Sequence, residues 1–368
     1  MRIKVLHVVD QLEYGGAAMA VKNIVENMDE ERVETFVCAL RRKPKTVPIK
    51  AKVVTLRCHK YSPFAVLAIV RLCKQYSIDI MHAHLLKSIT SSLLASFLCK
   101  SKVIIHDHGG IFRSDWVVFV YKLSLKVLGS RASLVIANSH ATKMTLYQRV
   151  GFSEESIMVV SNFIDFARFD YTSYDPSKVR YKLGFSDNQL IIGFVGRLFF
   201  YKGVDLLINA ASVICEKNSR LRFVIVGDGP QRRKLEQQVA QLGLEKKVIF
   251  TGLCKNPAEI MRAFDIAVIP SREEAFGIVA VELMRMMIPV IISPIGGLPE
   301  LAQHGETGIL LNELSKEAIA EAVIRLAKDR ALRERLIKNA EVFSRKFDGR
   351  LQIEQLRDIY ESLAQGRL

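Results

Sequence analysis

The chain has 368 residues, of which 49% are hydrophobic and 25% are charged, and this composition excludes a disordered chain and favours two folded domains of ordinary size. The formal net charge is +15, and residues 41–60 carry basic side chains and no acidic one. Such a field attracts nucleic acid or an anionic bilayer, although a solvated loop would have the same composition.

The first predicted element is a strand over Ile3–Val9. Its basic start and apolar run are not interpreted as a signal peptide, because no small-residue cleavage site follows and polar residues come next. Helical patterns over Ala17–Asn27 and Pro63–Gln75 alternate with further strands. These strands are expected at Thr35–Leu40, Lys52–Leu56, Ile78–His82, Val103–His106, Leu134–Ala137 and Ile157–Val160. Since the runs are apolar on both faces, they favour a doubly wound parallel sheet.

Residues 170–178 are polar and contain a proline, and we interpret them as a linker. The alternation then begins again, with strands at Leu190–Val195, Phe223–Val226, Val248–Phe250, Ile266–Ile269, Val290–Ile292 and Gly308–Leu310. The sequence therefore predicts two Rossmann-like α/β domains, at 1–170 and 171–350, with a ligand cleft at the carboxyl ends of their sheets. A helix within 351–368 is expected to pack back on the first domain.

Glycines and cations follow several of these strands. Gly15 and Gly16 lie between the first strand and a helix. The free amides at the start of this helix would bind an anion, and glycine lets the backbone come close to it. A tight turn that needs glycine only for steric reasons is the alternative. Gly196 and Arg197 end the first strand of the second domain, and Lys202 follows shortly after. Two cations at a strand end suit a diphosphate and would stabilise charge on a departing nucleotide. The alternative is that Arg197 and Lys202 are ordinary surface cations without a ligand.

The most informative stretch is PSREEAFGIVAVE, residues 270–282. A strand ends at Pro270, and a glycine-containing loop then enters a helix whose first amides would point at a phosphate. Two carboxylates frame the loop, and a carboxylate can accept two hydrogen bonds from adjacent sugar hydroxyls. One of these carboxylates would bind the donor sugar and the other the ribose. The predicted contacts are Glu274, Ala275, Phe276, Gly277, Ile278 and Glu282.

Histidine and glycine supply further candidates at strand ends. His108 follows a strand of the first domain and would face the cleft, whereas His84 and His106 are left open. The other histidines are interpreted as structural: His7, His59, His82, His140 and His304. Gly252 ends a strand of the second domain, where the backbone would hold a base. Because no D-x-D motif occurs, we expect neither a metal nor another cofactor.

The motifs taken together resemble glycosyltransferase family 4. They are GGA after the first strand, IIHDHGG, VGR…KG, VGDGP, TG, PSREEAFG…E and GGLPE, and their order and spacing hold over nearly the whole chain. The resemblance implies a GT-B fold, a nucleoside diphosphate sugar donor, and front-face transfer that retains the anomeric configuration without metal.

The family pattern also implies roles for individual positions. It places the donor phosphate near Gly16, the diphosphate at Arg197 and Lys202, the donor sugar at Glu274 and the ribose at Glu282. It also implies amide contacts at Phe276 and Gly277 and the reacting centre at His108, with His106 as the less favoured register. Many relatives have an acidic or amide side chain where this chain has Ala18, so no donor contact is expected from that side chain.

Residues 113–130 are predicted to form an amphipathic helix. Lys122 and Lys126 lie on one side, with Asp115 close to them. The apolar stripe consists of Trp116, Val120, Leu123 and Val127. Aromatic and basic residues beside such a stripe suit a bilayer interface, whereas burial within the domain is the alternative.

The six cysteines include no C-x-x-C pair and favour a reducing compartment, and no apolar run reaches the ~18 residues that a spanning helix needs. We therefore predict a cytoplasmic protein, peripheral on the inner face of the membrane and without a nucleic-acid partner. It would transfer a hexose, with UDP as the default base, to a glycan or lipid-linked acceptor in polysaccharide or lipopolysaccharide synthesis. The alternatives are a nucleotide-sugar 2-epimerase and a non-catalytic polyanion-binding or membrane-binding protein.

Overall fold

A computed structural model describes residues 2–13, 15–42, 46–56, 64–109 and 115–367. The chain forms two compact units, which are described separately below. Unit 1 comprises Met1–Phe163 and Gly349–Leu368, and unit 2 comprises Ile164–Asp348. Part of the basic run, Lys43, Lys45, Arg57 and Lys60, lies outside the described residues, as do Cys58, His59 and Gly110.

Unit 1 is built on a seven-stranded sheet in which every pairing is parallel. The strands are β1 Ile3–Val9, β2 Val33–Ala39, β3 Lys52–Thr55, β4 Ile80–His84, β5 Lys102–Asp107, β6 Ala132–Ala137 and β7 Ile157–Val159. Between them lie the helices α1 Gly16–Asn27, α2 Phe64–Tyr76, α3 Leu86–Ala95, α4 Asp115–Leu128 and α5 His140–Thr145. The spatial order is β3-β2-β1-β4-β5-β6-β7, so the connection reverses direction between β1 and β4.

Unit 2 contains a six-stranded parallel sheet. Its strands are β8 Leu190–Val195, β9 Leu221–Val226, β10 Val248–Gly252, β11 Ile266–Ile269, β12 Val290–Ile292 and β13 Ile309–Leu310. Its helices are α6 Pro176–Lys182, α7 Val204–Lys217, α8 Arg232–Gln241, α9 Pro257–Met261, α10 Ile278–Arg285, α11 Lys316–Lys328 and α12 Arg330–Ser344. The order β10-β9-β8-β11-β12-β13 reverses between β8 and β11, which is where doubly wound sheets bind ligands.

The polar segment 170–178 is a folded part of unit 2, so its interpretation as a linker was wrong. The Asp170 carboxylate accepts a hydrogen bond from the Thr172 amide and begins a 3₁₀ turn. The Asp175 carboxylate caps α6, and Pro176 is the first residue of that helix. Aspartate and proline at these positions are helix-start signals. Residues from Ile164 onward already pack in the core of unit 2, so the structural boundary follows residue 163.

The last helix, α13 Arg350–Ala364, belongs to unit 1. Its buried residues pack against one face of the sheet, together with apolar residues of β1, β4 and β5. The Lys102 ammonium donates to the Leu363 carbonyl oxygen at 2.7 Å. Alternate residues of β1, β4 and β5 point to this face, and the opposite face carries a separate apolar core. No helix in the described part of the chain has the length and apolar character to cross a membrane.

Candidate functional site

The reversal point of unit 2 brings together residues that are far apart in sequence. Lys202 ends a 3₁₀ turn that follows β8, and Glu274 follows β11. The Lys202 ammonium lies 2.5 Å from the Glu274 carboxylate, and the Ser271 hydroxyl donates to the same carboxylate oxygen at 3.4 Å. The two charged side chains are only 19% and 16% exposed. A charge-assisted pair with so little solvent around it fixes the position of the carboxylate at this edge of the sheet.

Arg197, two residues after the end of β8, is held in place by its neighbours. Its guanidinium donates to the Tyr201 hydroxyl at 2.9 Å and lies 4.9 Å from the centre of the Phe199 ring. A stacked and hydrogen-bonded guanidinium loses little further freedom when it binds an anion. The carboxyl ends of β8 and β11 therefore present two cations, one of them paired with an acid.

Two glycines allow the Lys202 turn and the Glu274 loop to lie close to their neighbours. Gly203 has φ +69°, and a β-carbon there would lie 1.8 Å from the carbonyl oxygen of Pro270. Gly296, the first glycine of the GGLPE motif, has φ +58°, and a β-carbon there would lie 1.7 Å from the carbonyl oxygen of Glu274. The Gly297 amide also donates to that oxygen at 3.1 Å. The GGLPE motif thus shapes the loop that carries the acid.

The loop from Ala275 to Ile278 leads into α10. Gly277 precedes the helix with φ +92°, and Ile278 is its first residue. Within the described residues, the amides of Phe276 and Gly277 donate no hydrogen bond. The Phe276 ring is buried and contacts Phe347 edge-on at 5.7 Å. The phenyl group therefore anchors the loop in the core, and only the backbone of this residue is placed to meet a ligand.

Glu282 lies in the middle of α10 and is 8% exposed. Burial raises the pKa of its carboxyl to about 7, and the charge of Arg168 opposes this shift. Burial has this effect because a low-dielectric surrounding disfavours the charged form. An acid poised near neutrality in this way is typical of functional sites.

Gly196 and Gly252 lie at the same edge of the sheet. The Gly196 amide donates to the Val226 carbonyl oxygen at 3.0 Å, and the Gly227 amide donates to the Gly252 carbonyl oxygen at 2.9 Å. These bonds join the carboxyl ends of β8, β9 and β10 into one rim. The predicted positions of the second domain therefore all lie at the carboxyl edge of the unit 2 sheet or in the α10 segment that follows it.

Gly15 and Gly16 occupy the corresponding position in unit 1, between β1 and α1. Gly15 is in an extended conformation and its carbonyl oxygen accepts the first intrahelical hydrogen bond, from Met19, at 3.0 Å. A β-carbon at Gly16 would meet nothing within 4 Å, so the space beside it is open. Ala18 is buried. The start of α1 thus offers backbone amides at the reversal point of the unit 1 sheet.

His108 is part of a cluster of five buried or half-buried histidines in unit 1. One chain joins His7 Nδ1 to His84 Nε2 at 3.0 Å and His84 Nδ1 to His108 Nε2 at 2.9 Å. A second joins the hydroxyl of Tyr360, on α13, to His82 Nδ1 at 2.6 Å and His82 Nε2 to His106 Nδ1 at 3.1 Å. Burial lowers the pKa of all five imidazoles, that of His7 to about 3 and that of His108 to about 4. They are therefore neutral at neutral pH.

Two family models match the chain, one over each half. The model for glycosyltransferase family 4 matches residues 14–168, and the model for glycosyl transferases group 1 matches residues 176–343. Together they cover most of both units, although β1 and α13 of unit 1 lie outside the matched residues. The chain belongs to glycosyltransferase family 4.

Similar proteins and solved structures agree with this assignment. An uncharacterized glycosyltransferase of Methanocaldococcus jannaschii is 34% identical over 210 residues, which is 56% of this chain and 54% of that protein, so the match spans about half of its length. The N-acetyl-alpha-D-glucosaminyl L-malate synthase of Bacillus anthracis is 28% identical over 304 residues, covering 78% of this chain and 76% of that protein. The Anabaena protein HepE, crystallised with UDP and glucose, is 25% identical, covers 98% of this chain and 100% of its own, and superimposes with a TM-score of 0.85. The family-4 chain therefore has the GT-B fold.

The supporting side chains of this family-4 site were not among the sequence candidates. Arg272 makes a bidentate pair with Asp205, both contacts at 2.7 Å, and stacks on Phe200 at 4.1 Å. It thereby ties the loop after β11 to the turn that carries Lys202. No local sequence pattern reveals this pair, because its members belong to different strand–helix connections.

The histidine cluster, in contrast, has a sequence signal that the residue-by-residue interpretation missed. The segments LHV, HAH and HDH place histidines at alternate positions of neighbouring strands. His7 pairs with His82 and His84 pairs with His106 in the sheet register. Since side chains alternate along a strand, all of these rings point to the face covered by α13.

Proposed function

We propose that this protein transfers a hexose from a nucleoside diphosphate sugar, with UDP as the nucleotide, to a glycan or lipid-linked acceptor with retention of configuration. The observation that carries the proposal is the Lys202–Glu274 pair at the reversal point of unit 2, beside Arg197 and the start of α10. Cations, helix-start amides and a fixed carboxylate are the groups that a diphosphate and a sugar require.

Each group has a distinct task in this proposal. Arg197 and Lys202 neutralise the charge that develops on the departing diphosphate, so the reaction needs no metal there. The amides of Phe276, Gly277 and Ile278 contact the phosphate and sugar, and Glu274 accepts hydrogen bonds from sugar hydroxyls. The complex of HepE with UDP and glucose supports a uridine nucleotide as the donor.

The remaining groups complete the donor site and the reacting centre. Glu282 binds the ribose hydroxyls, and the rim around Gly196 and Gly252 holds the base by its backbone. The backbone at Gly15 and Gly16 binds a phosphate group. His108 contributes at the reacting centre, and the departing phosphate accepts the proton of the acceptor.

A transfer assay with matched variants tests the proposal. Purified protein, UDP-sugars and a panel of glycan and lipid acceptors are combined with EDTA, and the product anomer is determined by NMR. The Glu274→Gln variant should lose at least about a hundredfold in kcat/KM, whereas Glu273→Gln, the neighbouring carboxylate, should stay within a few-fold of wild type. Sugar epimerisation without acceptor, an inverted product, or equal loss in both variants would contradict the proposal.

We further propose that unit 1 binds the surface of an anionic membrane, where polysaccharide and lipopolysaccharide acceptors are found. On α4, Phe119, Leu123 and Val127 are 55%, 53% and 68% exposed, while Leu125 and Leu128 are buried. The domain core therefore uses a different stripe from the one that includes Leu123 and Val127. Residues 113 and 114 of the predicted helix, and the side chains of Trp116 and Val120, lie outside the described residues.

The neighbouring helices carry further exposed apolar residues. Helix α3 packs against both α2 and α4. The exposed apolar residues of α2, of α3 and of the turn after it are Phe64, Leu67, Leu94, Phe97 and Leu98. Exposed cations beside them are Arg71, Lys74, Lys100, Lys122 and Lys126. Neither α2 nor α3 contains an acidic residue, so the patch is complementary to anionic lipid.

Vesicle sedimentation tests this surface. The variant Phe119→Ser/Leu123→Ser/Val127→Ser should bind phosphatidylglycerol-containing vesicles at least about tenfold more weakly than wild type, because it loses buried apolar area. Leu351→Ser, an exposed apolar residue on α13 that is 66% exposed, serves as the control and should bind like wild type. No binding of wild type to anionic vesicles at low salt would refute the membrane proposal.

A further inference from the structure

The histidine cluster of unit 1 has the arrangement of a metal-binding site. His84, His106 and His108 each offer one ring nitrogen, and these three atoms lie within 4.8 Å of one another. The closest pair, His84 Nδ1 and His108 Nε2, is 2.9 Å apart. In a tetrahedral zinc site with metal–nitrogen bonds of 2.0–2.1 Å, ligand nitrogens are about 3.3 Å apart, so small side-chain movements would suffice.

Two polar atoms of the same three residues are buried without a hydrogen bond. Among the described residues, His106 Nε2 and His108 Nδ1 have no partner. A buried polar atom left without a partner costs about 1–3 kcal/mol. A cation bound by His106 Nε2 would offset this cost and would replace the proton now shared by His84 and His108.

The second ring nitrogens are already held in the way that metal-binding histidines require. His106 Nδ1 is hydrogen-bonded to His82, and His82 is hydrogen-bonded to the Tyr360 hydroxyl. His84 Nε2 is hydrogen-bonded to His7. Histidine ligands nearly always donate their other N–H to an acceptor such as a carboxylate, a carbonyl oxygen or water, which fixes the tautomer and the orientation of the ring. Here the acceptors would be the imidazole nitrogens of His82 and His7. Two of the three ligands thus have their outer contacts in place.

A deeper group, His7, His82 and His84, also has one nitrogen from each residue within 4.8 Å. Both ring nitrogens of His82 and both of His84 are already hydrogen-bonded within the cluster. A metal bound by His7, His82 and His84 would break more of these hydrogen bonds than a metal bound by His84, His106 and His108. The group that ends at the half-buried His108 is therefore the favoured one.

We propose that His84 Nδ1, His106 Nε2 and His108 Nε2 bind a divalent transition-metal ion of the zinc type. Neutral imidazole ligands select zinc, nickel, copper or cobalt over magnesium and calcium. Because His108 also has a role in the proposed transfer reaction, the test relies on direct metal binding and is independent of enzymatic activity.

Cobalt provides the probe. Wild-type protein without a polyhistidine tag is titrated with Co²⁺, and visible ligand-field absorption is recorded. His106→Asn is the test variant: asparagine keeps a polar atom near the Nδ1 position, which bonds His82, and removes Nε2. His7→Asn is the matched control, since it keeps the Nδ1 position that bonds His84 and also removes a buried Nε2 without a partner among the described residues. Circular dichroism and the unfolding midpoint establish that each variant is folded.

We expect one Co²⁺ per chain, displaced by Zn²⁺, in wild type and in His7→Asn, and an affinity at least about tenfold weaker in His106→Asn. Should His106→Asn fail to fold, His108→Ala replaces it, with the same expectation. Absence of saturable Co²⁺ binding by wild type would overturn the proposal. A thiolate-to-cobalt charge-transfer band that persists in the variant would also overturn it, because it would place the metal on cysteine. A loss of Co²⁺ binding in His7→Asn alone would overturn it as well, because it would place the metal in the deeper group.

Discussion

Replacing Glu282 with glutamine should stabilise unit 2 at neutral and alkaline pH and weaken nucleotide binding at the same time. Burial raises the pKa of this carboxyl from 4.5 to about 7. Between these two values the folded state binds more protons than the unfolded state, so the free energy of unfolding falls as the pH rises. At 1.36 kcal/mol per pKa unit, the total loss from pH 4.5 to above pH 7 is about 3 kcal/mol.

Glutamine has nearly the same shape and does not ionise, so Glu282→Gln should not show this loss. Urea unfolding of both proteins at several pH values between 4.5 and 8.5 gives the difference directly. Far-UV circular dichroism follows the whole chain, and the fluorescence of Trp116, the single tryptophan, follows unit 1. The variant should gain about 3 kcal/mol on wild type over this pH range in the unit 2 transition only. At alkaline pH its affinity for UDP should fall at least about tenfold, because neutral hydrogen bonds from glutamine replace the stronger ones that a charged carboxylate makes.

Glu245→Gln, an exposed carboxylate of the same unit, is the matched control and should leave the pH dependence of wild type unchanged. If the stability difference between Glu282→Gln and wild type is the same at pH 5 and pH 8, the carboxyl does not titrate as burial requires. If the stability of Glu282→Gln changes as expected but its affinity for UDP does not, the Glu282 carboxyl is buried as described, and the proposed contact of Glu282 with the ribose is wrong.

Three further predictions concern other contacts of the two units. Lys202→Met should lower kcat/KM at least about a hundredfold, because it removes the positive charge near the diphosphate and leaves Glu274 without its ion-pair partner; an unchanged rate would contradict this role. Gly203→Ala should lower the unfolding midpoint far more than Gly243→Ala. Both glycines have positive φ, but only at Gly203 would a β-carbon meet backbone atoms. Equal effects would show that the backbone strain of positive φ, and not this close contact, determines the loss. Tyr360→Phe should destabilise unit 1 by about 1–3 kcal/mol in urea unfolding, because a buried imidazole nitrogen loses its partner, whereas no change would indicate that water replaces the hydroxyl.

The sequence itself determined the alternation of strands and helices, because this alternation depends on the spacing of apolar residues within each short segment. Runs that are apolar on both faces predicted two parallel sheets, and the structure contains them. The loop PSREEAFG was placed between a strand and a helix for the same reason, and α10 begins at Ile278. The family assignment also followed from motif order along the chain, and the two family models confirm it. The assignment of functional roles to individual residues stays a prediction.

Other features were decided only by the tertiary structure. The segment 170–178 has the composition of a linker, yet its aspartates cap helices, because capping depends on the backbone geometry that follows them. The pairing of Lys202 with Glu274 and of Arg272 with Asp205 joins separate strand–helix connections of unit 2. The histidine cluster needs the register of three strands and the return of α13 to the same face. Such contacts depend on strand order, which side-chain periodicity along one segment does not specify.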